Sequence, residues 1–215
     1  MMKLYVANVE CLKDADTFEE YLCKVNEQRR AKVLRCKNEE DKKRTLLAGY
    51  LLAVALENEG YTYDNLEFSR TAEGKPYVEA HPEICFSISH SGKYAVCLIS
   101  DQNVGVDVEY KNRKLLLSEN DSKLLSVIKS SFSEEEFVDY QNTPKELQTE
   151  FFLRLWTRKE AVSKAMGKGL AMDFSKICVS DENVLSFWLD EEYYISVYRE
   201  KDKLQKEDLE ICMMN

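Results

Sequence analysis

Residues 103–110, NVGVDVEY, constrain the fold more than any other stretch of the chain. Val104, Val106 and Val108 alternate with Gly105, Asp107 and Glu109. β-Branched residues repeating with a period of two predict a half-buried strand, so the three valines face a core. Asp107 and Glu109 then project together from the opposite face, about 7 Å apart. Two carboxylates so placed repel by about 2 kcal/mol at an effective dielectric of roughly 20. A fold built on this strand has to supply something that offsets that repulsion.

The surrounding pattern predicts a mixed fold. LYVANV (4–9) alternates as a strand. Asp16 to Cys36 reads as one helix and Glu39 to Glu59 as another, whose apolar second half RTLLAGYLLAVALENEG stops near Gly60. YVE (77–79) is a short strand, and ICFSIS with YAVCLIS form a hairpin around HSGK (90–93). Residues 111–150 are polar and irregular, with helical pieces at SKLLSVIKSSF and SEEEF. A strong helix, EFFLRLWTRKEAVSKAM, covers 150–166 and stops at Gly167, and VLSFWLDEEYYISVYRE closes the chain as a hairpin. A helix followed by a hairpin thus occurs once in each half. The expectation is an α+β fold of two small lobes, 1–101 and 102–215, with weak internal repetition.

Composition excludes several classes. No apolar run approaches the ~18 residues of a membrane span, and MMKLYVANVECL lacks signal-peptide organisation. The seven cysteines are odd in number and show no C-x-x-C spacing, which points to reduced thiols in a cytoplasmic protein. A net charge of −9 argues against general nucleic-acid binding. The charge is uneven, however: Lys24 to Arg44 holds nine basic and four acidic residues. That segment reads either as a solvated helical face or as a local anion site.

On the 150–166 helix, Phe151, Phe152, Leu155, Val162 and Met166 form an apolar stripe that includes Lys159. An ammonium there is expensive unless paired. Glu160 lies at the stripe's border, one turn from Lys164. In one reading Lys159 snorkels and Glu160 with Lys164 is a surface pair. In the other, Glu160 joins Asp107 and Glu109 around a hard divalent cation such as Mg²⁺, and the lysines and basic segment suit a polyphosphate.

The set GKPY (74–77), FSISHS (86–91), VGVDVE (104–109) and LWTRKEAVSKAMGKGL (155–170) resembles the 4′-phosphopantetheinyl transferases of the surfactin-synthetase-activating type. The resemblance covers residues 25 to 170, with the motifs in the family's order and spacing. It implies two similar α/β lobes related by a pseudo-two-fold axis, with the active site between them. It implies transfer of the phosphopantetheine arm of coenzyme A to a serine of an acyl or peptidyl carrier protein, releasing adenosine 3′,5′-bisphosphate. By the same resemblance Asp107, Glu109 and Glu160 are Mg²⁺ ligands, and Lys164 and Ser89 bind the pyrophosphate with Lys75 near it. His90 bridges toward the ribose 3′-phosphate, and Arg29, Lys32 and Thr45 fall at the 3′-phosphate contacts, Arg29 in place of a lysine. Lys159 counts among the coenzyme A residues, and Glu160, His90 and Lys164 form the catalytic group, Glu160 as candidate base.

Two other classes fit parts of the pattern. One is a module that binds coenzyme A or a carrier without turnover; the other is a small Mg²⁺-dependent hydrolase built on D-x-E. The intact acids and lysines favour catalysis, and the family is often monomeric. Carrier proteins are generally acidic, as this chain is, so docking needs a local apolar or basic patch. KNRKLLLSENDSKLL (111–125), with Arg113, Lys114 and Leu115 to Leu117, is the candidate.

Overall fold

The computed structural model describes residues 2–111, 121–169, 172–179, 182–201 and 203–214. In chain order the elements are β1 (Met2–Asn8), α1 (Ala15–Cys23), α2 (Glu27–Arg35), α3 (Glu39–Asn58), β2 (Phe68–Arg70), β3 (Pro76–Val78), β4 (Cys85–Ser91) and β5 (Tyr94–Ser100). There follow β6 (Val104–Tyr110), α4 (Asp121–Ser131), α5 (Glu134–Asn142), α6 (Lys145–Met166), β7 (Val184–Trp188), β8 (Tyr193–Arg199) and β9 (Leu209–Met214). The first sheet runs β4-β5-β1-β9, the second β6-β8-β7, and β2 pairs with β3 alone. The fold is mixed α/β.

Alternation decides how these sheets stack. Tyr5, Ala7, Ala95, Cys97 and Ile99 turn one face of the first sheet toward Leu47, Leu51 and Leu56 of α3. Leu4, Val6, Val96 and Leu98 turn the other face toward Val104, Val106, Val108, Ile195 and Val197 of the second sheet. The three valines of β6 therefore meet a core, as their period requires, and that core is the layer between two sheets. Each such fully buried side chain contributes roughly 1.5–3 kcal/mol. The opposite face of β6 lies against α6. A Cβ added to Gly105 would stand 1.8 Å from the Ala161 carbonyl oxygen, so only glycine permits this approach. Asp107 and Glu109 share that face and are consequently drawn beneath the helix.

Four expectations need correction. The helix read over 16–36 is two helices, because the Asn26 side chain accepts the Arg29 amide at 2.9 Å and starts α2 afresh. Such a cap offers the backbone an alternative to the continuing helical bond. The strong helix begins at Lys145, straight after Pro144, rather than at 150, and ends at Gly167 with φ +73°. Met166, expected in its apolar stripe, is half exposed because the helix ends there. Finally, the β7–β8 hairpin does not close the chain. Residues 209–214 form β9, which runs parallel to β1 from Met2↔Leu209 to Ala7↔Met214. The last strand thus crosses the division drawn at residue 101 and joins the N-terminal sheet. All seven cysteines are unpaired, and no described helix is long and apolar enough to cross a membrane.

Candidate active site

The sequence S-x-S-x-S in β4 places Ser87, Ser89 and Ser91 on the face that looks toward β6. β6 pairs through its backbone with β8 only, so the amides of its other edge need acceptors. The three hydroxyls supply them: Val106 N donates to Ser87 Oγ (3.1 Å), Val108 N to Ser89 Oγ (3.4 Å) and Tyr110 N to Ser91 Oγ (3.2 Å). Two of the hydroxyls pass a proton onward to the acids. Ser89 Oγ donates to Asp107 Oδ1 at 2.8 Å and Ser91 Oγ to Glu109 Oε2 at 2.9 Å.

The helix supplies the charge. Lys164 Nζ donates to Asp107 Oδ1 (2.6 Å), Ser89 Oγ (2.8 Å) and Val106 O (3.1 Å). An α6 ammonium and two β4 hydroxyls therefore offset the repulsion that the strand alone creates. Both carboxylates are buried, Asp107 with 5% of its surface accessible and Glu109 with 9%. Asp107 Oδ2 is enclosed and has no hydrogen-bond partner. Glu160 is half-buried on α6, one turn before Lys164. Among the described residues, no three acidic, histidine or cysteine side chains converge closely enough to hold a metal ion by themselves.

Lys159 departs from the expectation that it binds the cofactor. Its side chain is wholly inaccessible, and Nζ donates to Ser131 O and Phe174 O, both at 2.9 Å, and to the Glu136 carboxylate. Glu136 also accepts the Ser133 amide in the cap of α5. A buried ammonium needs such a full set of partners, and here they lie away from the cleft. Lys159 pins the α4–α5 excursion and the segment around Phe174 to α6.

A second cluster sits where α2 meets β2. Arg29 and Lys32 line a pocket of about 70 Å³ with Arg70, Tyr63 and Phe86. Arg29 lies across α3 at Gly49, where an added Cβ would be 2.5 Å from its Cγ. Burial lowers the pKa of the Arg29 guanidinium, the Tyr63 phenol opposes that, and Arg70 adds to the lowering. The pKa of Lys32 is lowered by desolvation, then by Arg29 and Arg70, although the residue is exposed. Thr45, one turn before Gly49, is buried with its hydroxyl 3.6 Å from Cys36 Sγ, at the end of α2.

His90 projects from the α3 face of β4, opposite Ser89 and Ser91. Desolvation, then the positive charges of Arg44, Lys164 and Lys32, hold its imidazole below the ordinary value, although the residue remains exposed in an open-sided cleft. Those three cations tie His90 to both the α2 cluster and the β6 acids. Lys75, expected near the pyrophosphate, donates instead to Asn103 Oδ1 and Ala165 O, both at 2.6 Å, and burial lowers its pKa. In this arrangement it anchors the GKPY turn on the end of α6, where it shares an apolar slot with Lys164, Pro76, Phe86 and Ile88.

Arg44, Arg70, Ser91 and Glu136 were not anticipated. Ser91 and Arg70 had signals, the S-x-S-x-S alternation and a position four residues before Gly74 of the GKPY turn. Arg44 closes the basic segment and Glu136 the S-x-x-E capping pattern, but their contacts with Gly92 and Lys159, 48 and 23 residues away, had no local signal. Arg113, Lys114 and Leu115 to Leu117, the candidate docking segment, lie outside the described residues.

Comparisons with known proteins agree with this geometry. Residues 103–213 match the family model described as the 4′-phosphopantetheinyl transferase superfamily, and residues 14–102 match that of the 4′-phosphopantetheinyl transferase N-terminal region. A 4′-phosphopantetheinyl transferase of Bacillus subtilis is 28% identical over 215 residues, covering 98% of this chain and 92% of the relative. The 4′-phosphopantetheinyl transferase Sfp of Bacillus subtilis strain 168 is 30% identical over 180 residues, or 83% and 76% of the two chains. The 4′-phosphopantetheinyl transferase gsp of Aneurinibacillus migulanus is 29% identical over 204 residues, or 94% and 77%. By these matches the chain belongs to the 4′-phosphopantetheinyl transferase superfamily.

Proposed function

We propose that the chain transfers the 4′-phosphopantetheine group of coenzyme A to a serine hydroxyl of an apo acyl or peptidyl carrier protein. Asp107, Glu109 and Glu160 would hold Mg²⁺ together with oxygens of the bound diphosphate, since the three acids do not converge on a site by themselves. The observation that carries the metal reading is the enclosed Asp107 Oδ2 without a donor, beside a second buried carboxylate. A buried acceptor left unsatisfied costs about 1–3 kcal/mol, which a cation would recover. The donors are all carboxylate oxygens, the set that suits a hard cation sharing its shell with phosphate. When bound, Mg²⁺ would supply charge neutralisation at the diphosphate.

The protein's own groups perform the rest. Arg29 and Lys32, with Arg70, take the ribose 3′-phosphate, Thr45 closes that end, and His90 spans toward the diphosphate. Lys164 and Ser89 hold diphosphate oxygens, and the slot beside Lys75 takes an apolar planar group. The carrier serine oxygen forms a bond to the phosphorus that carries the pantetheine arm. The bond from that phosphorus to the bridging oxygen breaks, and adenosine 3′,5′-bisphosphate leaves with the electron pair. Glu160 accepts the serine proton. Charge neutralisation at a phosphorus ringed by anionic oxygens is the main catalytic task, which explains why cations line the cleft.

The two sheets suggest the lobes of the family fold. α3 with β4-β5-β1 and α6 with β6-β8-β7 would be related by a pseudo-two-fold axis, the site lying at their seam. The chain would act as a monomer in the cytoplasm. Incubating the chain with coenzyme A and Mg²⁺, with and without an apo carrier, tests the reaction. Adenosine 3′,5′-bisphosphate should form only with the carrier; release without it would indicate a hydrolase, and no release would indicate a binding module.

A further inference from the structure

Each seam hydroxyl has its direction set by what it accepts. Ser91 Oγ accepts the Tyr110 amide, which occupies a lone pair and turns its proton toward Glu109 Oε2, 2.9 Å away. The path runs from strand amide to hydroxyl to carboxylate, and Ser91 is fixed in turn by the β4–β5 pairing Ser91↔Tyr94. The turn that follows is locked from two sides. Arg44 donates to Gly92 O at 2.9 Å, and Lys93 N donates to the Tyr193 hydroxyl at 2.8 Å. Gly92 has φ +51°, and a Cβ there would meet the Tyr193 hydroxyl at 2.1 Å, so the turn beside Ser91 requires glycine.

The neighbouring acid is held differently. Asp107 Oδ1 receives both the Lys164 ammonium and the Ser89 hydroxyl. Glu109 accepts from the Ser91 hydroxyl, which fixes the orientation of its carboxylate. We propose that Ser91 is a positioning residue of the transferase: its hydroxyl, aimed by the Tyr110 amide, orients the Glu109 carboxylate for the divalent cation. This inference rests on the metal reading above. Outer donors of this kind typically carry 10–100-fold in metal affinity.

The test reads metal binding apart from turnover. Mn²⁺ is titrated into the full chain with coenzyme A bound, and binding is followed by loss of the free Mn²⁺ electron paramagnetic resonance signal. The variants are Ser91→Ala, Ser91→Cys and Asp107→Ala, each checked for folding by circular dichroism. Ser91→Ala should weaken Mn²⁺ at least roughly tenfold. Ser91→Cys, near-isosteric with a weak donor, should fall between it and wild type, and serves as the probe should Ser91→Ala not fold. Wild-type affinity in folded Ser91→Ala or Ser91→Cys overturns the positioning role. Wild-type affinity in Asp107→Ala overturns the metal reading itself, so the two failures are distinguishable.

Discussion

Two lysines five residues apart on α6 show how one helix serves packing and chemistry at once. Lys159 is inaccessible and saturated by two carbonyls and Glu136, all supplied by the excursion beyond β6 and the segment after α6. Lys164 reaches the seam between the sheets and meets Asp107, Ser89 and a β6 carbonyl, with 26% of its side chain still accessible. The first ammonium replaces water with protein on all sides and leaves no donor for a ligand. The second keeps an open side, so a phosphate can reach it and replace one of its three protein acceptors. Both ammoniums have three acceptors, so accessibility, more than charge or the number of hydrogen bonds, separates the two roles.

Lys159→Ala is the substitution that most directly challenges this contrast. It leaves the half-buried Glu136 carboxylate and two carbonyls without their cation. Breaking a fully buried pair costs about 3–5 kcal/mol, and with 23% of the Glu136 side chain accessible the loss should fall at or below about 3 kcal/mol. Thermal or denaturant unfolding should show a loss of that size. The opposite result, normal stability with a raised KM for coenzyme A, would return Lys159 to the cleft.

Lys164→Ala tests the other side. Removing a preorganised donor at developing charge typically lowers the rate by 10²–10³-fold, about 2.7–4 kcal/mol, and kcat for carrier modification should fall by that order. Asp107→Ala should lose the transfer as well. Retention of more than about a tenth of wild-type activity, roughly 1.4 kcal/mol of barrier, would remove Asp107 from the metal set.

The α2 pocket extends the comparison to cations that meet no protein carboxylate among their contacts named here. If Lys32 holds the 3′-phosphate, Lys32→Ala should weaken coenzyme A by at least roughly tenfold, since a hydrogen bond to a charged group contributes about 1.5–3 kcal/mol. Calorimetry with 3′-dephospho-coenzyme A should show almost no change. Equal weakening of both ligands would make Lys32 a contributor to general potential only.

What the sequence revealed follows the range of the interactions involved. β6 was legible because its alternation is local, and the same pattern required the valine core. The cost of a buried Lys159 was legible too, but its partners lie 15, 23 and 28 residues away, and no local pattern announces a carbonyl from a later segment. Asn26 breaks a helix whose flanking residues all favour one, since its cap competes through a single side-chain oxygen. β9 escaped because LEICMM is short and its parallel partner, β1, sits at the other end of the chain. At the site, the family resemblance carried by the motifs grouped Asp107, Ser89 and Lys164, and their side chains do meet. Nothing in it showed that serine hydroxyls would stand in for a strand's backbone across the seam.

The smallest effect concerns His90. In the free chain its pKa lies below the ordinary value of 6.5, through desolvation first and then Arg44, Lys164 and Lys32. The folded state therefore binds fewer protons than the unfolded state between the lowered pKa and that value. Stability on this account is complete above the unfolded pKa and declines as pH falls through the folded one. Anionic phosphates seated beside the ring would stabilise its charged form, so coenzyme A binding should draw a proton onto His90 near pH 6. The ligand's own phosphomonoester titrates in the same range, with a pKa of about 6. The informative quantity is thus the difference between wild type and His90→Gln at each pH. Calorimetry in two buffers of different ionisation enthalpy should show proton uptake in wild type that is smaller in His90→Gln, and the affinity gap should widen a few-fold from pH 7.5 to pH 6. The effect stays small because the ring is exposed and water screens the three cations. Equal proton uptake in both proteins would place His90 outside the phosphate path, leaving Lys32 and Lys164 to bind its two ends without a bridge.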